Sequence, residues 1–255
     1  NTFNFITKIL MENFKLADLC ISQAAKVWVD DGEILATGIG LIPRLAAYLS
    51  KMAFNEALMV TDGETYLIDE PFPLGVDRTL KVEGYMSYSR VFENLWGGAR
   101  HAMVTPTQID MYAQMNISCI GDYEMPKVQL LGSRGFPGNS ISHKNSVFIP
   151  VHSKKSFVEG EVHMVSSLGY KEDNLYAPEI GKVITNLGVF DFNGDNHAFR
   201  LLSVHPGVEV QAIEESTGFA VDTSQFTETE LPSPQEIEII EYLDPKGMRH
   251  NIFGG

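Results

Sequence analysis

The groups best placed for chemistry sit in two short loops. One is Thr61-Asp62-Gly63-Glu64, directly after the apolar run Ala57-Leu58-Met59-Val60; the other is Gly132-Ser133-Arg134-Gly135-Phe136-Pro137-Gly138-Asn139, directly after residues 128–131. An apolar run closed by such a loop reads as a buried strand, and in open parallel sheets ligands bind just beyond the carboxyl ends of the strands. The glycines at 132, 135 and 138 let backbone N–H groups approach a ligand closely enough to hold a thioester or enolate oxygen. Asn139 supplies a further donor, and Arg134 a cation for a free carboxylate or a phosphate. Thr61 and Gly63 border the same pocket, which Asp62 and Glu64 would shape or charge; an Asp-Gly pair alone is more often a simple turn. Gly132, Gly135, Pro137, Gly138 and His143 complete the candidate binding positions of the second loop. The alternative for that loop is a multi-turn connection with no ligand.

Other constellations carry less. Gly38-Ile39-Gly40 stands where a dinucleotide fingerprint would, but Pro43 occupies the place of the third glycine, which leaves a tight strand-to-helix turn. Asp191-Phe192-Asn193-Gly194-Asp195 resembles a calcium loop, yet its glycine comes two positions early and Leu202 takes the place of the closing glutamate, so a hairpin turn is expected. None of the seven histidines has a metal-ligand spacing, and no metal is expected. No G-x-S-x-G elbow exists, and the neighbours Ser142 and His143 point apart on an extended chain.

The elements that must position these loops follow a β-α-β rhythm. Helical spacing covers residues 16–29 and 42–53, with strand candidates at 33–37 and 57–60. Further strands are expected at 102–105, 128–131, 147–151, 182–185 and 200–204, and helices at 89–95, 208–216 and 234–243. The last helix is opened by Ser233 and Pro234 and stopped by Asp244-Pro245. The expectation is a single α/β domain over 1–255 with an open, mainly parallel sheet flanked by helices. Residues 69–87 read as a long surface excursion or a partner-contacting arm.

Composition excludes several classes. A formal net charge of -14, with nineteen scattered Lys and Arg, repels nucleic acid. Cys20 and Cys119 cannot form a disulfide framework, which points to a reducing compartment. No run of apolar residues is long enough to span a membrane, and Lys8, Glu12, Lys15 and Asp18 interrupt what a secretory signal would need. A cytoplasmic protein is expected. Between 201 and 245 acid accumulates without a single Lys or Arg, as a solvated face or as a docking face for a basic partner.

Several segments in order resemble the beta subunits of family I coenzyme A transferases, over about residues 16–249. They are Arg90-Val91-Phe92-Glu93 with Asp110-Met111-Tyr112, the loop 132–135, Val183-Ile184-Thr185-Asn186-Leu187-Gly188-Val189-Phe190, His205-Pro206-Gly207-Val208 and Thr217-Gly218-Phe219. Such transferases use a glutamate in an S-E-N-G-like loop as the nucleophile that forms a glutamyl-CoA thioester. The matching loop here is Val60-Thr61-Asp62-Gly63, so Thr61 replaces that glutamate, and Glu64 would have to be re-aimed to serve. The series G-x-R-G-x-P-G-N-x-I-x-H over 132–143 further resembles a divergent, hydrolytic branch of the family. That resemblance implies a NagB-RpiA-like α/β fold and an alpha2-beta2 assembly with an alpha-type subunit that supplies the general base. It also implies hydrolytic opening of the last steroid-derived ring of a cyclohexenone-carboxyl-CoA thioester, with CoA as part of the substrate and no separate cofactor. Arg134, Asn139 and Glu64 stand as its catalytic candidates. The alternatives are a family I acyl-CoA:carboxylate CoA-transferase subunit and a non-catalytic CoA-binding subunit.

Overall fold

The computed structural model describes residues 15–253 apart from Glu64, Arg78, Arg134 and Asp173. Its centre is a seven-stranded sheet whose spatial order equals its chain order. Strands β1 (Leu35–Gly38), β2 (Arg100–Val104), β3 (Lys144–Ile149) and β4 (Ile180–Thr185) are parallel; β5 (Gly188–Asp191) and β6 (Arg200–Val204) continue antiparallel, and β7 (Thr227–Glu228) pairs parallel with β6. A parallel bridge from Leu35 to Met59 lays the short strand Val60–Thr61 beside the free edge of β1. All of β2 and most of β3 are buried, as expected where helices cover both faces of a parallel sheet.

Helices α1 (Leu16–Ala25) and α2 (Leu41–Ala53) pack on one face, with Trp28, Tyr48, Leu49 and Phe148 in the core between. Opposite, Phe157, Phe190, Phe192 and Phe199 form a ring-on-ring cluster. Helix α3 (Tyr88–Trp96) buries only Leu95 and leaves Tyr88 and Trp96 exposed. Two short helices follow, α4 (Phe136–Ser142) before β3 and α5 (Val210–Ser216) after β6. The last, α6 (Pro234–Leu243), begins at Ser233 in a capping box: the Ser233 hydroxyl accepts the Glu236 N–H, and Glu236 accepts the Ser233 N–H. The second carboxylate oxygen of Glu236 accepts from the Ser22 hydroxyl at 2.5 Å and so ties α6 to α1.

One expectation fails in a way that matters. Residues 128–131 do not form a buried sheet strand. Pro126–Gln129 pairs only with Cys119–Gly121 in an exposed hairpin, and Leu131 stands free of the core. Lys127 and Gln129 flank Val128, so the apolar run is too short to fill a sheet interior. The glycine loop is therefore launched from the periphery of the molecule. Asp191 begins a turn as expected, and Arg200 grips its carboxylate with two hydrogen bonds. Among the described residues no helix is long and apolar enough to cross a membrane.

The chain end is locked by a buried ion cluster. The Arg249 guanidinium, 5% exposed, reaches Asp18 of α1 at 2.6 Å and Asp244 after α6 at 3.2 Å. Part of the acid concentrated after residue 201 is thus consumed inside the fold. Replacing Arg249 by Met would leave two buried carboxylates without a cation, and the loss of stability should be about 3–5 kcal/mol. Chemical denaturation of the purified protein measures it; an unchanged midpoint would show the cluster to be dispensable.

Candidate active site

The turn after β1 builds the site. Gly38 carries no side chain because the first turn of α2 lies on it: a Cβ there would come within 2.2 Å of the Pro43 carbonyl oxygen. Gly40, at φ 116°, then starts the helix. This close approach opens a cavity of about 670 Å³ bounded by β1, by Arg44 and Tyr48 of α2, by Thr61 and Gly63, by Leu74 and Gly75, and by Met86, Val91, Arg100 and Met248. Its size is ordinary for a small-molecule site. The bland strand-to-helix turn at 38–40 is thus the floor of the cavity.

Thr61 and Gly63 reach the cavity as the first loop's reading expected. The Thr61 hydroxyl accepts the Gly63 N–H at 3.1 Å, and its carbonyl accepts the Tyr48 hydroxyl at 2.7 Å. Gly63 sits at φ 94°, and a Cβ on it would meet the Arg44 guanidinium at 2.1 Å. Asp62 turns to the Tyr66 N–H, 3.1 Å away, and does not line the cavity. Glu64 lies outside the described residues.

The glycine loop stands one layer behind. Gly132, Gly135, Pro137, Gly138, Asn139 and His143 do not line the cavity, and Arg134 lies outside the described residues. Gly138 permits close packing of α4 on α3, since its Cβ would lie 3.3 Å from Leu95. Asn139 joins the loop to the cavity: its side-chain oxygen accepts from Arg100 Nη1 at 3.4 Å, while Arg100 Nε donates to Thr37 at 3.0 Å. His143 bonds the Lys144 carbonyl through Nδ1, and its enclosed Nε2 has no partner among the described residues. Sequence reasoning missed Arg44 and Arg100. Both were visible as anomalies, a cation in the first turn of a helix, where the dipole disfavours it, and a cation heading a strand that is otherwise mostly apolar.

No family model matches the chain. It is 36% identical to the cholesterol ring-cleaving hydrolase IpdB subunit of Mycobacterium tuberculosis over 91% of this chain and 96% of that protein. The chain belongs to the IpdB branch of the family I CoA-transferase subunits. The crystal structure of IpdAB from Rhodococcus jostii RHA1 agrees, with a TM-score of 0.88 and 32% identity over 95% of this chain and 99% of the other. Glutaconate coenzyme A-transferase of Acidaminococcus fermentans shares the fold, with a TM-score of 0.78 at 22% identity over 92% and 97% of the two chains.

The motifs that mark this IpdB-type chain mostly hold loops rather than touch the cavity. Thr185 is a buried hub. Its carbonyl accepts His205 Nε2 at 2.9 Å, and its hydroxyl contacts His152 Nδ1 at 3.2 Å and accepts the Leu187 N–H at 3.0 Å. His152 Nε2 meets the Thr217 hydroxyl at 2.9 Å, so the threonine, His-Pro-Gly-Val and Thr-Gly-Phe motifs converge on one polar knot. Asp110 likewise organises its loop by accepting the N–H groups of Tyr112, Gln114 and Val162. A Ser-His-Asp series also exists: Ser146 Oγ lies 2.9 Å from His101 Nε2, and His101 Nδ1 lies 2.5 Å from Asp31. Ser146 and His101 are wholly buried, and a Cβ on Gly181 would sit 2.4 Å from Ser146 Oγ. Lys144 takes the other Asp31 oxygen. The series ties the turn before β1 to β2 and β3 and presents no nucleophile.

Burial pushes His152 down to about 3. Burial also takes His205 to about 4 against its bond to the Thr185 carbonyl. His143 falls to about 4, mainly through burial, with its bond to the Lys144 carbonyl opposing and the Arg100 charge adding. An unfolded imidazole titrates near 6.5. As pH falls from about 6.5 toward 4 the unfolded chain therefore takes up protons that the folded chain refuses, and stability must fall. The melting temperature should drop steadily over that range, and His152→Gln should remove about one proton, or ~1.4 kcal/mol per pH unit, from the slope of unfolding free energy against pH. An unaltered slope in the variant would mean that His152 is charged in the fold.

Proposed function

We propose that the chain is the beta-type subunit of a cytoplasmic, heteromeric hydrolase that opens the last steroid-derived ring of a cyclohexenone-carboxyl-CoA thioester in sterol catabolism. The observation that carries this reading is the cavity lining. Among the described residues no carboxylate faces it, and Thr61, at the place of the glutamate in the transferases that the chain resembles, engages its hydroxyl with Gly63. A transferase needs a carboxylate at that place to form its covalent thioester. Hydrolysis does not.

Opening a cyclic β-keto thioester joins a water oxygen to the ring ketone carbon. The bond from that carbon to the thioester α-carbon then breaks, and its electron pair passes into the thioester as an enolate. The α-carbon takes a proton, and the former ketone carbon leaves as a carboxylic acid. A base must accept the proton from water, and donors must hold the enolate oxygen. Under this reading the base is a glutamate of the alpha partner, in an alpha2-beta2 assembly, and CoA enters as part of the substrate with no separate cofactor. Arg134 supplies a cation, Glu64 shapes the pocket, and the glycine loop, one layer behind the cavity, acts through Asn139, which holds Arg100 at the cavity wall.

The test is co-expression with the alpha-type subunit, followed by incubation with ring-containing acyl-CoA thioesters with and without acetate or succinate. Ring opening is expected without an acceptor acid, and none is expected from this chain alone. Hydroxylamine-sensitive labelling mapped to Glu64, together with transfer that requires the acceptor, would make it a transferase; CoA binding with no turnover would make it a carrier subunit. Arg134→Ala should lower kcat/KM by about 10- to 100-fold, the scale of a lost charge-assisted bond. An unchanged kcat/KM would remove that arginine from the site.

A further inference from the structure

The last turn of the described chain is held more firmly than a chain end needs. Asp244 accepts the Met248 N–H at 3.0 Å through one carboxylate oxygen and the Arg249 N–H at 2.9 Å through the other. The Arg249 guanidinium binds that second oxygen as well, at 3.2 Å, and reaches Asp18 at 2.6 Å. Gly247, at φ 62°, turns the chain into the short 3-10 segment Met248–Asn251. A buried ion cluster adds little net stability over an apolar contact of the same shape, because desolvation offsets its attraction. What it supplies here is a fixed backbone at Met248.

That backbone meets the cavity. Met248 is the only described residue beyond Arg100 that lines it. Its side chain lies on Gly75, another lining residue: a Cβ on that glycine would come within 3.2 Å of the thioether methyl and 3.4 Å of the sulfur. The Leu74 N–H donates to the Leu243 carbonyl at 2.8 Å, so residues 74–75 and the chain end are clipped into one wall. Leu74, Met86, Val91 and Met248 make the lining there hydrocarbon in character.

We infer that Met248 is a specificity-determining residue, whose thioether packs on the hydrocarbon of the acyl group and sets the bulk that the cavity accepts. Thr61 and Gly63, at the place of the transferase nucleophile, border the same space, so an acyl chain joined at the thioester lies within reach of this wall. An unbranched thioether has three rotatable bonds and a polarizable sulfur, and it follows the irregular outline of a puckered ring better than a branched side chain does. The cluster around Arg249 fixes the backbone from which that adaptable side chain works, and Gly75 leaves the room in which it lies. The class selected is a carbocyclic acyl group. This inference rests on the proposed acyl-CoA reaction and names the part of the chain that reads the bulk of its substrate.

The experiment compares cyclohexanecarbonyl-CoA, acetyl-CoA and free CoA by equilibrium binding to the assembled alpha-beta complex. The wild type is expected to favour the ring thioester over acetyl-CoA by about tenfold or more, since each buried methylene adds to the affinity. Met248→Ala should weaken the ring thioester by about tenfold, the worth of one lost apolar side-chain contact, and leave acetyl-CoA and free CoA unchanged. Met248→Leu, close in volume, should keep most of the preference. Met248→Val shortens the side chain but still fills the core beneath it; it should show a smaller loss with the same selectivity, and it decides the matter if the alanine variant does not assemble. Equal binding of the two thioesters by the wild type would overturn the inference. So would a ring affinity that survives in both shortened variants, or a loss shared equally by acetyl-CoA and free CoA, which would make Met248 a packing residue alone. Binding needs no turnover, so a ring-selective loss in a complex that opens no ring would refute the proposed reaction and keep the role of Met248.

Discussion

The close approach of α2 to the end of β1 is the constraint on which the rest of the site depends. At Gly38 the backbone of one element fills the volume in which any other residue would place its side chain. With the helix seated there, its first turn carries Arg44 and its second carries Tyr48, whose hydroxyl fixes the Thr61 carbonyl. The loop after Val60 is held from the opposite side by its own Thr61–Gly63 hydrogen bond. The cavity is thus defined by backbone packing first and by side-chain choice second. That order suits a family whose members share the fold at low identity.

The layers of the fold were largely legible in the sequence, because their signals are local. Helix α6 runs over the residues its cap and stop signals specify, and the β1-α2 unit follows from periodicity and a glycine turn. What could not be read was which strand-like runs join the sheet. Residues 128–131 have strand composition but lie in a peripheral hairpin, since membership of a sheet is decided by distant partners. The site was legible by halves for the same reason. Thr61 and Gly63 were placed by their position after an apolar run that reads as a strand. Arg44 and Arg100, 56 positions apart in sequence, line one cavity because β1, which leads into α2, pairs with β2.

Charge also separates into two scales. The chain as a whole is strongly acidic, yet the cavity is lined by cations and apolar groups with no acid among the described residues. Several of the acids serve the scaffold, with Glu236 in a helix cap and Asp18 and Asp244 around Arg249. Met248, adjacent to that cluster, is itself part of the cavity wall. The buried ion cluster therefore holds one wall of the site in place from outside it.

The enclosed series of Ser146, His101 and Asp31 has a consequence for how enzymes are recognised by shape. Its hydrogen-bond order and separations are those of a hydrolytic triad, and the chain belongs to a branch that contains hydrolases. A template of three side chains would select it over the cavity at the end of β1. What disqualifies it is access, because Ser146 and His101 are wholly buried, beneath a second cavity whose surface is carried by neighbours such as Lys144 and Glu179. Catalytic geometry is a statement about the empty volume in front of a nucleophile as much as about the atoms behind it.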